Sequence, residues 1–94
     1  MKISELHPGQ SNVSIELTII SLDIIKEIDK YGKKLKLLNT LATDGDNEIK
    51  LTLWNENTEK IKPGLVIKIT NGYVSEFKGE KQITLGREGK LEII

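Results

Sequence analysis

The sequence contains no cysteine. Disulfides, zinc–thiolate sites and thiol nucleophiles are therefore excluded, and a reducing compartment is compatible with the chain. Histidine occurs once, as His7 between Leu6 and Pro8-Gly9. With no second histidine, a turn role outweighs that of metal ligand or general base. No glycine-rich phosphate loop or metal-ligand cluster is present, so an enzyme, a cofactor and a bound metal are not expected. Asp44, Asp46 and Asn47 imitate the start of a calcium loop, but the ligand series ending in glutamate is missing, and the segment reads as a hairpin turn. Gly86-Arg87-Glu88-Gly89 is likewise too short for a nucleotide fingerprint and reads as a turn. The N-terminus has no apolar signal core and no apolar run approaches membrane-spanning length, so a cytoplasmic protein without membrane contact is expected. An excess of one charge is also lacking: 14 basic residues balance 14 acidic ones, which disfavours a histone-like bulk attraction to polyanions.

What remains is a run of strand signals long enough for one domain over residues 1–94. Ile3 and Leu6 read as plugs for one barrel end, followed by a first strand from Val13 to Ile25. Its apolar phase switches at Ile20, which predicts a bulge. Lys26 to Lys33 reads as a charged loop, and a second strand from Lys34 to Thr43 puts Leu35, Leu37 and Leu41 on one parity. Ile49 to Trp54 forms the third strand, with Ile49, Leu51 and Leu53 inward and Lys50, Thr52 and Trp54 opposite. Asn55 to Ile61 predicts a short helix stopped by Pro63-Gly64. A fourth strand runs from Leu65 to Phe77 with a bulge at Asn71-Gly72, and a fifth from Lys81 to Gly86; Leu91, Ile93 and Ile94 read as a packed tail. Five antiparallel strands with a helix after the third describe an all-β, five-stranded OB-fold Greek-key barrel.

The aromatics, Tyr31, Trp54, Tyr73 and Phe77, avoid the inward positions. An aliphatic core with its rings elsewhere is unusual, because rings normally dominate core burial. In an OB barrel the face of strands 2 and 3, with the loops joining strands 1–2 and 4–5, forms an oligonucleotide or oligosaccharide groove, and these rings map onto it. Packing of Trp54 over the barrel end is the competing reading. Lys26, Lys30, Lys33, Lys34 and Lys36 flank the first loop, Lys50 stands beside Trp54, and Lys78 and Lys81 flank the last turn. Rings interleaved with lysines suit unpaired bases and their phosphates better than a duplex, whose base faces are hidden.

The stretches Ile49 to Trp54, Lys62-Pro63-Gly64 with Val66 to Ile69, and Asn71-Gly72-Tyr73 through Phe77-Lys78-Gly79 to Leu85-Gly86-Arg87 make the chain resemble a known family. It is similar, from about Leu6 to Gly89, to the archaeal single-OB-fold single-stranded-DNA-binding proteins, and through them to the SOSS-complex OB subunit and replication protein A domains. The resemblance implies that Trp54, Tyr73 and Phe77 stack bases and that the surrounding lysines hold phosphates; Tyr31 and Arg87 are further candidates for the same groove. Thr84 stands where some relatives have another aromatic, so one platform is missing or is supplied by Tyr31. The long tail through which such proteins recruit partners is not part of this stretch, which ends at Ile94. The expectation is a monomer that binds single-stranded DNA largely independently of sequence, alongside replication, recombination or repair proteins. Two alternatives share the groove: a single-stranded RNA or tRNA binder, and an OB subunit acting as a protein-interaction module.

Overall fold

Val13, Ile15, Leu17 and Ile19 are all buried, and that regular alternation is the inner wall of a curved sheet. The computed structural model describes residues 2–85 and 88–94, with Glu56 described by its backbone alone. Its strands are β1 (Val13–Leu22), β2 (Lys26–Lys30), β3 (Lys33–Thr43), β4 (Glu48–Trp54), β5 (Val66–Phe77), β6 (Glu80–Thr84) and β7 (Lys90–Ile93). Two 3-10 turns, Ile3–Glu5 and Asn55–Glu59, complete the described elements. The sheet order is β1-β3-β4-β6-β5-β7, and because β1 also pairs with β5 the sheet closes on itself. Among the described residues, only β4 and β6 pair in parallel.

The OB-fold holds, but the expected strand count and helix need correction. Seven strands are present among the described residues rather than five. The segment read as a charged loop is β2, which pairs with β3 across a turn at Tyr31-Gly32. The segment read as a tail is β7, paired with β5; Leu91 packs on the core while Ile93 and Ile94 stay exposed. The expected helix is only a 3-10 turn. Asn55 enters it at φ 53, outside helical geometry, and the Thr58 hydroxyl donates to the Asn55 carbonyl at 2.6 Å. Short polar side chains that take backbone partners for themselves oppose helix propagation.

The phase of β3 is also the reverse of what its leucines indicate. Leu38, Thr40 and Ala42 face inward, and Leu35, Leu37 and Leu41 face out. The Thr40 hydroxyl is satisfied inside by the Leu51 carbonyl at 3.1 Å. Where strands crowd into a closed ring, threonine and alanine fit and leucines on the other parity are left for a second apolar surface.

Both bulges occur. The β1–β3 register shifts between Ile19 and Ser21, and the β1–β5 register shifts between Val13 and Ile15 opposite Gly72. Asn71 takes φ 59 there, and Gly72 is buried with no room beside it: a Cβ would stand 3.2 Å from the Cγ2 of both Ile69 and Ile83. Gly72→Val is expected to destabilise the fold by about 1–3 kcal/mol through overpacking. An unchanged urea midpoint for that variant would contradict this packing.

Asp44 fastens the N-terminal turn to the β3–β4 hairpin. Its carboxylate accepts from the backbone N–H of Asn47 (2.8 Å), Ile3 (2.8 Å) and Asp46 (2.9 Å). These bonds, that of Asn47 foremost, lower its pKa from 3.8 to about 2. A depressed carboxylate stabilises the fold above its unfolded pKa and loses that contribution as pH falls from 3.8 towards about 2. Asp44→Asn should lower the urea midpoint at neutral pH and flatten the acid decline across that window. Parallel stability profiles for the two proteins would refute the role.

Candidate nucleic-acid interface

Fixing Leu38, Thr40 and Ala42 inside forces their neighbours outside, and the pairings then assemble a surface in rows. Leu37 lies opposite Trp54. The next row crosses the sheet as Asn39, Thr52, Thr84 and Tyr73, and the following one as Leu41, Lys50, Gln82 and Ser75. Phe77 opposite Glu80 closes that end. At the other end the β2–β3 hairpin continues the same face with the pairs Lys26–Leu37, Ile28–Leu35 and Lys30–Lys33.

Trp54 is half-buried on this outer face, beside the fully buried Leu53. Tyr73 is 48% exposed, Phe77 58% and Tyr31 92%, so none of these rings serves the core. Tyr31 and Lys78 occupy hairpin tips with left-handed φ values of 52, each followed by a glycine that also has positive φ. At both tips a lysine sits against a ring: Lys30 Nζ lies 5.8 Å from the Tyr31 centroid and Lys78 Nζ 5.4 Å from that of Phe77. Thr84 lies on the floor beside Tyr73.

The lysines expected on the groove divide. Lys33 and Lys50 stand on the face; Lys50 Nζ lies 3.3 Å from Glu80 Oε2 across the strands. Lys34 and Lys36 do not: they share the parity of Leu38 and Thr40 and emerge on the opposite side of the hairpin. There Lys36 pairs in register with Glu27 and Lys34 with Asp29, and Lys36 Nζ contacts Glu59 Oε1 at 2.6 Å. The Glu59 hydrogen bond and charge raise the Lys36 pKa, and Lys36 lowers that of Glu59. Lys81 also leaves the groove. It lies on the inward parity of β6, and its ammonium donates to the carbonyls of Leu6 (3.0 Å) and Ile3 (3.4 Å), tying down the N-terminal turn. Arg87 lies outside the described residues.

The hairpin is thus electrically two-sided. One side alternates acid with base, while the side continuous with Trp54 carries Lys26, Lys30 and Lys33 around Ile28, Leu35 and Leu37 and no acidic residue. Leucines on a face with lysines and a tryptophan make a surface that can hold flat rings and a polyanion together. Ile28, Leu35, Leu37 and Asn39 belong to it although periodicity alone does not single them out. The missing signal is the register set by the Tyr31-Gly32 turn, whose first residue is not the asparagine or aspartate usual there.

No group of three or more histidine, cysteine or acidic residues suited to a metal occurs among the described residues. No helix among them is long and apolar enough to cross a membrane.

Known proteins share this architecture. The chain is similar to the single-stranded DNA binding protein Ssb of Saccharolobus solfataricus, 27% identical over 90 residues, which covers 96% of this chain and 61% of that protein. The chain therefore spans less than two-thirds of that relative's length. Its fold matches the second OB-fold domain of replication protein A from Methanococcus maripaludis with a TM-score of 0.82 and 28% identity, covering 100% of this chain and 93% of that one. It also matches a replication factor A related protein from Methanobacterium thermoautotrophicum with a TM-score of 0.85, at 23% identity, covering 100% and 89% of the two chains, a likeness of fold. The family described as single-stranded DNA binding protein Ssb-like, OB fold, a non-enzymatic one, matches residues 6–93. By that match over nearly its whole length, the chain belongs to the Ssb-like OB-fold family.

Proposed function

We propose that this chain binds single-stranded DNA, largely without regard to sequence, on the outer face of β3, β4, β5 and β6 and along the β2–β3 hairpin. The observation that carries this reading is the grouping of Trp54, Tyr73 and Phe77 on one exposed sheet face that also holds Lys33 and Lys50. Trp54, Tyr73 and Phe77 stack bases; Tyr31 at the hairpin tip adds a further ring. Lys26, Lys30, Lys33, Lys50 and Lys78 meet phosphates. The Ssb of Saccharolobus solfataricus and the archaeal replication protein A domain support the choice of polymer, and replication, recombination or repair is the setting it fits.

Stacking needs unpaired bases, since a duplex presents only their edges. A groove of rings with scattered lysines also gives weak bulk attraction, consistent with a chain of zero formal net charge. Affinity then comes from contacts at the face and falls with salt in proportion to the phosphates engaged.

Trp54→Ala is expected to weaken binding of oligo-dT by about 1–3 kcal/mol, the value of one stack, with the circular dichroism spectrum retained. Wild-type affinity in the folded variant would remove the ring from the site.

A second test separates the two sides of the hairpin. Lys33→Gln should reduce the log–log salt slope by about 0.7, the contribution of one phosphate on a single strand. Lys36→Gln should leave the slope unchanged, because Lys36 is engaged with Glu59 on the far side. The reverse pattern would place the DNA on the wrong face.

A further inference from the structure

The cations of the outer face are not equally placed. On the β2–β3 hairpin, Lys26 lies across from Leu37 and Lys33 across from Lys30, and neither forms an ion pair among the described residues. Toward the β5–β6 hairpin, Lys50 stands between Leu41 on β3 and Gln82 on β6, and its Nζ lies 3.3 Å from Glu80 Oε2. Lys78 lies over the Phe77 ring, and Lys81 is held by the carbonyls of Leu6 and Ile3. These three cations are thus each engaged within the protein.

Register places Glu80 for its contact. It lies two residues before Gln82 on β6, hence on the same side of the strand, and directly opposite Phe77. The side chains of Lys50 and Glu80 are 58% and 65% exposed, so the pair is open to an incoming strand rather than sealed in the fold. An ion pair this exposed contributes little to stability. A carboxylate and a phosphodiester make the same demand on an ammonium, since each offers acceptor oxygens carrying one negative charge. A phosphate that reaches Lys50 therefore arrives where a carboxylate already sits, and it either displaces Glu80 or shares a single positive charge with it. Glu48, two residues from Lys50 on the same side of β4, is also exposed but forms no ion pair with it.

We propose that Glu80 is an internal competitor for the phosphate at Lys50, an autoinhibitory contact that weakens the β4–β6 end of the DNA site relative to the β2–β3 hairpin. The inference rests on the single-stranded-DNA reading and adds to it an unequal grip along the face. A strand held in this way releases first near Phe77, where its phosphates displace a carboxylate, and last at the hairpin, where they do not.

A double-mutant cycle read by Trp54 fluorescence during titration with oligo-dT at low salt separates competition from a general charge effect. Glu80→Gln should tighten binding about threefold, the scale of one exposed ion pair. In the Lys50→Gln background, where no ion pair has to be broken, the same substitution should tighten it by less than about 1.5-fold. Glu48→Gln should have the same small effect in both backgrounds. All three positions are exposed, so folding is retained. No gain from Glu80→Gln, an equal gain with and without Lys50, or coupling of Glu48 to Lys50 as large as that of Glu80 overturns the inference and leaves the single-stranded-DNA reading standing. Failure of oligo-dT to bind wild type at low salt overturns both.

Discussion

The alternation of β3 against β4 is the constraint on which the molecule depends. With Leu38, Thr40 and Ala42 packed against Leu53, Leu51 and Ile49 inside the sheet, the intervening residues have no freedom of side. Leu37, Asn39 and Leu41 must stand outside beside Trp54, Thr52 and Lys50. A slip of one residue would bury Lys50 and Trp54 and expose the core, so register and function are secured by the same burial energy. The exposed rings thus require no stabilisation of their own.

The barrel ends are secured by polar contacts rather than by apolar mass. Asp44 gathers backbone N–H groups from the β3–β4 turn and from Ile3, and Lys81 gathers carbonyls from Ile3 and Leu6. Both grip the short N-terminal turn, which positions Ile3 and Leu6 as the plug beneath the sheet. Lys81 shows that a lysine near a binding face can be fully occupied by the fold. On the β2–β3 hairpin, the cations left on the Trp54 side are those whose cross-strand neighbours are apolar or basic, namely Lys26, Lys30 and Lys33.

Residues 49–54 were legible because the strand has one apolar face, so the period of two has a single interpretation. β3 was not legible for the opposite reason: it has apolar residues on both faces, and leucine count favours the outer one over the inner threonine and alanine. The bulges at Ile20 and Gly72 were marked by a phase switch and by an Asn-Gly pair inside a strand, which are local signals. β2 carried no such mark, since every residue in it is exposed and it exists only through pairing with β3. The same hidden register moved Lys34 and Lys36 off the expected groove and brought Ile28, Leu35 and Asn39 onto it. The 3-10 turn at Asn55–Glu59 depends on side-chain capture of backbone groups, which propensity does not register.

The claim that DNA lies on the outer face of the β3–β4 sheet is tested most directly by methyl NMR during titration with oligo-dT. The methyl signals of Ile28, Leu35, Leu37 and Leu41 should shift with added strand, whereas those of Val66 and Ile93, across the ring on β5 and β7, should stay in place. Shifts confined to Val66 and Ile93, with the leucines of β3 unmoved, would contradict the account.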